Sequence, residues 1–237
     1  EARRSKQAFL VLEDARANPH QINWGAYTPP APKSSEITEY SLSVSELIPF
    51  IDWSPFFMTW ELAGKYPNIL EDEKVGEAAT DLFADAQKML HKIADEKLLT
   101  PKGVYGFWHC NRLGSDDIEI FTDDARTERM TILHHLRQQT PKPNDEDPNY
   151  CLADFIAPPG HADYIGGFAV TAGNEIEHLL SEYDDDYSKI MIQALADRLA
   201  EASAEAIHKH IRTKAWGYSE NEALDYESLI KEKYQGI

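Results

Sequence analysis

Apolar residues recur at steps of four and three over Met191, Leu195, Leu199, Ala202 and Ala206, the spacing that keeps side chains on one face of a helix. The surrounding segment 184–218 is predicted to be the dominant helix of the chain. Asp184, Asp185 and Asp186 precede its first turn, and Lys209, His210, Arg212 and Lys214 crowd its last turns; both placements suit the charge of the exposed backbone groups at the two ends. Gly217 is positioned to end it. At the usual rise such a helix holds about 30 residues and spans about 45 Å. A second stripe, Val75, Ala79, Leu82, Phe83, Ala86, Leu90 and Ile93, predicts another long helix over 74–99, closed by Pro101 and Gly103. Residues 2–17 read as a charged helix with Phe9, Leu10 and Leu12 apolar, and residues 221–233 as a short acidic one.

Elsewhere the period shortens to two or disappears. Tyr40, Leu42 and Val44 alternate within 36–44 as in a half-buried strand, and Ser45 is placed to cap a short helix after it. Residues 103–110 are nearly continuous in apolar side chains, as a buried strand would be. A turn over 113–117 returns the chain into 117–121 as a hairpin partner. Residues 151–158 and 162–173 read as further buried strands. Four prolines and a glycine make 18–33 a wrapping loop, and 141–149 is a surface loop. Clustered strands with short turns favour antiparallel pairing. The predicted fold is therefore α+β, a single domain over 1–237 with a mostly antiparallel sheet and long flanking helices.

Composition narrows the partners. The formal net charge of −18 argues against nucleic acid and anionic membrane, both of which need basic surface. No apolar run approaches the roughly 18 residues of a membrane span, and no signal peptide opens the residues given, so a cytoplasmic location is expected. Cys110 and Cys151 sit in apolar contexts and read as buried thiols in a reducing compartment.

Candidate chemistry is sparse. The chain has no GxGxxG opening a helix, no GxxxxGK[ST], no HExxH, no CxxC and no GxSxG. Nothing is built to make a nucleophile, so any reaction would belong to a bound cofactor, with the protein supplying position and electrostatics. His134 and His135 are adjacent and cannot share one helix face as metal ligands would; they read as ordinary polar or site-lining residues, and no metal site is expected. Asp52 stands alone among Trp53, Phe56, Phe57, Trp60 and Tyr66. It reads as a helix N-cap, with Pro55 in the first turn, and an acid can be both cap and ligand contact. In the long helix, Arg198 falls at the edge of the apolar stripe with Glu201 one turn on and Asp197 on Glu201's side. Periodicity leaves two readings open: a solvated i,i+3 ion pair worth under about 1 kcal/mol, or a partly buried pair facing a ligand.

The runs LEDARANPHQINWGAYTPP (12–30), IDWSPFFMTWELAGKYPNILEDE (51–73), HHLRQQ (134–139), NYCLADFIAP (149–158), KIMIQALADRLAEA (189–202) and the terminal WGY and LIKEKYQGI together closely resemble the activation domain of cobalamin-dependent methionine synthase. The resemblance covers essentially the whole chain in order. It implies a module that binds S-adenosylmethionine and docks on the cobalamin domain of the same enzyme. There it reactivates oxidised cob(II)alamin by reductive methylation, with an electron from flavodoxin or a related flavoprotein. Cob(I)alamin is then the nucleophile, which accords with the missing side-chain nucleophile; the protein aligns the reacting atoms.

By resemblance, Asp52, Arg198 and Glu201 contact S-adenosylmethionine, and Asp197 meets the cobalamin domain; a second acid of that kind is Glu175. Carboxylates suit the ammonium and sulfonium of this ligand, and a guanidinium suits its carboxylate. The cobalamin motif DxHxxG is absent, so cobalamin is expected on a partner domain. The residues given stop at YQGI, before the family's R-x-x-x-G-Y-P segment, and on that basis the module is expected to be partial at its C-terminal end. Two rival readings are a non-catalytic interaction module that keeps the fold, and a metal-dependent enzyme using His134, His135 and nearby acids.

Overall fold

The computed structural model describes residues 9–144, 147–225, 228, 229, 231, 233 and 234. Six α-helices and five strands follow one another along it: α1 (Leu12–Ala17), β1 (Thr38–Ser41), α2 (Val44–Leu47), α3 (Ser54–Thr59), α4 (Gly76–Asp95), β2 (Lys102–Leu113), β3 (Asp117–Phe121), β4 (Arg129–His134), β5 (Asp163–Thr171), α5 (Ile176–Ser181) and α6 (Asp186–His210). The strands run in the order β1-β2-β3-β4, with β5 also paired to β2. The pairings β1–β2, β2–β3 and β3–β4 are antiparallel. The α+β reading therefore holds. The chain forms two compact units: a strand unit, Glu1–Ser35 with Phe107–Gly166, and a helical unit, Glu36–Gly106 with Gly167–Ile237.

In the helical unit α6 is the centre. Met191, Leu195, Leu199, Ala202 and Ala206 are all buried, as their spacing predicts, and Ile192 and Ile207 widen the stripe. Against α6 pack α2, α3, α4 and α5. The α4 stripe buries Ala79, Leu82, Ala86, Leu90 and Ile93, while Val75 and Phe83 are half-buried. Burying a Leu or Ile side chain is worth about 1.5–3 kcal/mol, so this seam dominates the unit. The N-cap of α6 is Asp185, whose carboxylate accepts from Ser188 N at 2.7 Å. At the other end the helix runs into a π turn, Ile211–Ala215, and stops at Gly217, which adopts φ +83°. The aromatic run 51–67 packs edge to face around Trp53, Phe56, Phe57 and Phe83.

The strand unit has a smaller apolar core of Cys110, Ile118, Ile120, Cys151 and Ala153. Both cysteines are free thiols. The β2–β3 hairpin pairs Leu113 with Asp117, and Gly114 takes the left-handed conformation, φ +64°, that this tight turn demands. Beside the core lies a buried ionic network. Arg137, only 1% exposed in its side chain, donates to both carboxylate oxygens of Asp154, to Asp116 Oδ1 and to the carbonyls of Ser115 and Asn149. Arg16 donates to the other oxygen of Asp116 at 2.6 Å.

Several local expectations are corrected. The cap of α2 is Ser43, not Ser45, because Ser43 and Glu46 satisfy each other's backbone N–H groups in a capping box. Asp52 is not the N-cap of α3: Trp53 takes that position with helical dihedrals, and Asp52 Oδ1 instead accepts from Ser54 N two residues on. Residues 151–158 are no strand. Asp154 accepts from Cys151 N, and the chain coils into a 3-10 turn over Leu152–Phe155; the guanidinium of Arg137 requires that carboxylate inward, which a flat strand would not provide. The predicted N-terminal helix appears only as α1, and residues 2–8 lie outside the described residues. Of the predicted helix 221–233, residues 226, 227, 230 and 232 lie outside the described residues; 221–225 are not helical, and among the described residues only 228 and 229 are.

Candidate functional site

Asp52 stands in the bend between a 3-10 turn, Ile48–Phe50, and α3. Ile51 and Trp53 on either side are buried, and their anchoring leaves the Asp52 side chain half-exposed. One carboxylate oxygen is held by Ser54 N at 2.9 Å; a carboxylate has more lone pairs than this bond uses. Pro55 follows in the first turn of α3, where its missing N–H costs nothing. The sequence thus makes a short, rigid acid-bearing corner, and α3 packs directly on α6.

On α6, Arg198 Nη1 donates to Glu201 Oε2 across one helical step. The Arg198 side chain is 15% exposed and Glu201 is 47% exposed. The pair is formed within the helix, with the Arg stem covered and the carboxylate end meeting solvent. Asp197 is exposed and makes no hydrogen bond or ion pair among the described residues. No hydrogen bond or ion pair joins Asp52 to Arg198 or Glu201 among the described residues. Glu175 flanks the start of α5, where its carboxylate accepts from Thr100 N at 3.3 Å. Its own backbone N–H and that of Thr100 hold its pKa below the usual glutamate value. A cavity of about 330 Å³ in the helical unit is lined by α4 and α6 residues that include Met89, Lys92 and Met191, and by Tyr183 just before α6, not by the predicted contacts.

His134 and His135 leave the end of β4 separately. His134 Nδ1 pairs with Asp117 Oδ1 at 3.0 Å, and His135 Nε2 is buried with no hydrogen-bond partner among the described residues. Among the described residues no group of three His, Cys, Asp or Glu is arranged to hold a metal ion. No helix among them is long and apolar enough to cross a membrane.

Sequence reasoning missed two buried arginines. Arg137 sits inside HHLRQQ, yet its acid partners lie 21 and 17 residues away, a separation no local period reports. Hydrogen bonding to Asp154 outweighs burial and raises its pKa. Arg212, fully buried, forms a double hydrogen bond with Glu222 at 2.7 Å for each bond and lies 4.1 Å from the Tyr234 ring. The hydrogen bonds from Arg212 lower the pKa of Glu222.

Asp52, just ahead of α3, and Arg198 and Glu201 on α6 are two carboxylates and one guanidinium on elements that pack together. That set suits a ligand carrying both signs of charge. Residues 43–237 match the family described as "Vitamin B12 dependent methionine synthase, activation domain". A crystal structure of the MetH reactivation domain bound to AdoHcy is similar at 53% identity and a TM-score of 0.90, over 97% of this chain and 71% of that one.

Proposed function

This chain belongs to the activation-domain family of vitamin B12-dependent methionine synthase, and from that membership we propose that Asp52, Arg198 and Glu201 bind S-adenosylmethionine or its demethylated product for cobalamin reactivation. The observation that carries the reading is the fold shared, over 97% of this chain and 71% of the other, with a domain solved with AdoHcy. The donor set supports it: Arg198 suits the ligand carboxylate, and Asp52 and Glu201 suit its cationic groups. As a domain of a methyltransferase it works with other modules of the same enzyme. We further propose that residues 1–237 act as one module, that Asp197 faces the cobalamin domain, that the electron donor is flavodoxin or a related flavoprotein, and that the module works in the cytoplasm.

S-adenosylmethionine, when bound, supplies an activated methyl group on a sulfonium, and cobalamin is held by the partner domain. This chain's residues position rather than react. Asp52 is fixed by Ser54 N, so its free oxygen has little freedom left to lose on binding. Glu201 must exchange its bond with Arg198 for one with the ligand, which frees the guanidinium for the ligand carboxylate.

Calorimetry with AdoHcy tests the assignment. Asp52→Asn should cost about 1.5–3 kcal/mol of binding, as for a charged hydrogen bond, with the melting temperature unchanged. Arg198→Ala and Glu201→Ala should be non-additive in a double-mutant cycle. Asp197→Asn should leave AdoHcy affinity intact and weaken docking on the cobalamin domain. Unchanged affinity in Asp52→Asn with an unchanged melt would remove that residue from the site.

A further inference from the structure

The strand unit holds a cavity of about 550 Å³, within the range of small-molecule sites, and nothing in the proposed reactivation role uses it. Its walls are fixed from both sides. Asn111 Nδ2 donates to the carbonyls of Ala157, Pro158 and His161 at 3.1, 3.2 and 2.7 Å, pinning the loop that forms one wall. Opposite, in the β3–β4 connection, Asp123 accepts from the backbone N–H groups of Thr127 and Glu128 and from the Thr127 hydroxyl. Between them Arg126 adopts φ +55°, a conformation costly for a residue with a Cβ and found where a site fixes it. Its Nη1 and Nη2 donate to the carbonyls of Asp124 and Asp163.

The charges facing this cavity are unequal in what they have left to offer. Arg126, Arg129 and His161 line it, with Glu119 as the acid among the lining residues. Glu119 is engaged by Arg129 Nε. Asp163 is engaged by Ala157 N and Tyr164 N, and Asp124 lies near His109 and Arg126. The two terminal NH₂ groups of Arg129 have no partner among the described residues, and neither does Arg126 Nε. In a chain of formal net charge −18, two guanidiniums against one carboxylate among the lining residues are a local excess of positive charge. Guanidinium pairs are suited to oxyanions because their forked donors match two oxygens at once. We propose that this cavity binds a small, multiply charged oxyanion, a phosphate or a dicarboxylate, at a site separate from the residues assigned to S-adenosylmethionine.

The test titrates the full chain with inorganic phosphate and, separately, with succinate, at ionic strength held constant with chloride, following backbone amide shifts. Saturable shifts confined to the residues lining the cavity are expected; phosphate binding tighter than succinate identifies a tetrahedral ligand, and the reverse a carboxylate one. Arg129→Gln is chosen because its side chain is 55% exposed; it should weaken binding about tenfold, as loss of a charge-assisted hydrogen bond does. Glu119→Gln should tighten it several-fold by releasing Arg129. Lys88→Gln and Asp184→Asn make the same two charge changes in the helical unit and should leave binding unchanged, as AdoHcy affinity should be in Arg129→Gln. No saturable shift, or control variants that move affinity as much as the cavity variants, would overturn the site.

Discussion

In the helical unit the side chains at the centre are Leu195, Leu199 and Ile192, surrounded by other apolar groups. In the strand unit the apolar core is small, and the buried group that ties its loops together is Arg137, bonded to Asp116, Asp154 and two carbonyls. An apolar seam loses stability roughly in proportion to the surface removed. An ionic cluster behaves differently: taking out one member leaves its partners buried and uncompensated, while replacing the whole cluster by apolar groups can be nearly neutral. The two units should therefore respond differently to single and to compound substitutions.

The largest expected effect is Arg137→Ala, which leaves Asp154 without its cation and Asp116 with Arg16 alone, and should destabilise the strand unit by about 3–5 kcal/mol. Denaturant unfolding followed by hydrogen exchange would place the loss. The compound variant Arg137→Met, Asp116→Asn, Asp154→Asn should recover much of it; a compound variant worse than Arg137→Ala would mean the network stabilises as an ionic unit. In the helical unit, Leu199→Ala should cost about 2–5 kcal/mol through lost burial and a residual cavity, and no second substitution of a polar group should rescue it.

Acid sharpens the same contrast at smaller amplitude. Burial alone would raise the pKa of Asp116, but hydrogen bonds from Arg16 and Arg137 outweigh it and hold the carboxyl below its ordinary value. A depressed folded pKa gives stability that is present above the unfolded value, about 3.9, and lost as pH falls through the folded one. Asp163 acts with the opposite sign, because burial raises it, so its protonation relieves the fold on acidification. Amide exchange around Asp116 should accelerate below about pH 4, and Asp116→Asn should flatten that dependence while lowering stability at neutral pH. The smallest effect is Ser43→Ala: loss of the capping box of α2 should cost about 1 kcal/mol, measured as a small drop in melting temperature.

The same division decided what the sequence could reveal. The stripes of α4 and α6 and the hairpin over Gly114 were legible because their signals are local: a period of three to four, or a turn glycine between apolar runs. The turn at Leu152–Phe155 was misread as a strand because the reason it coils is the Asp154–Arg137 pair, set by residues far apart in the chain. At the candidate site, Asp52 was visible as an isolated acid, but its backbone partner was not, since Trp53 rather than Asp52 opens α3. The Arg198–Glu201 pair followed from helical spacing. Its ligand role came from the family resemblance, because helical spacing fits a solvated pair equally well.

The π turn that closes α6 has a consequence for chain length. A π turn carries one residue more than the α-helix it interrupts, and here the surplus falls at Ile211–Ala215. Deleting a residue such as Thr213 would make the helix regular and, at about 100° per residue, would rotate everything after it by more than a quarter turn. Gly217 would then no longer meet the carbonyl of Ile211, and Glu222 would swing away from Arg212. The end of this helix should therefore accept changes of side chain on its outer face far more readily than a change in the number of residues.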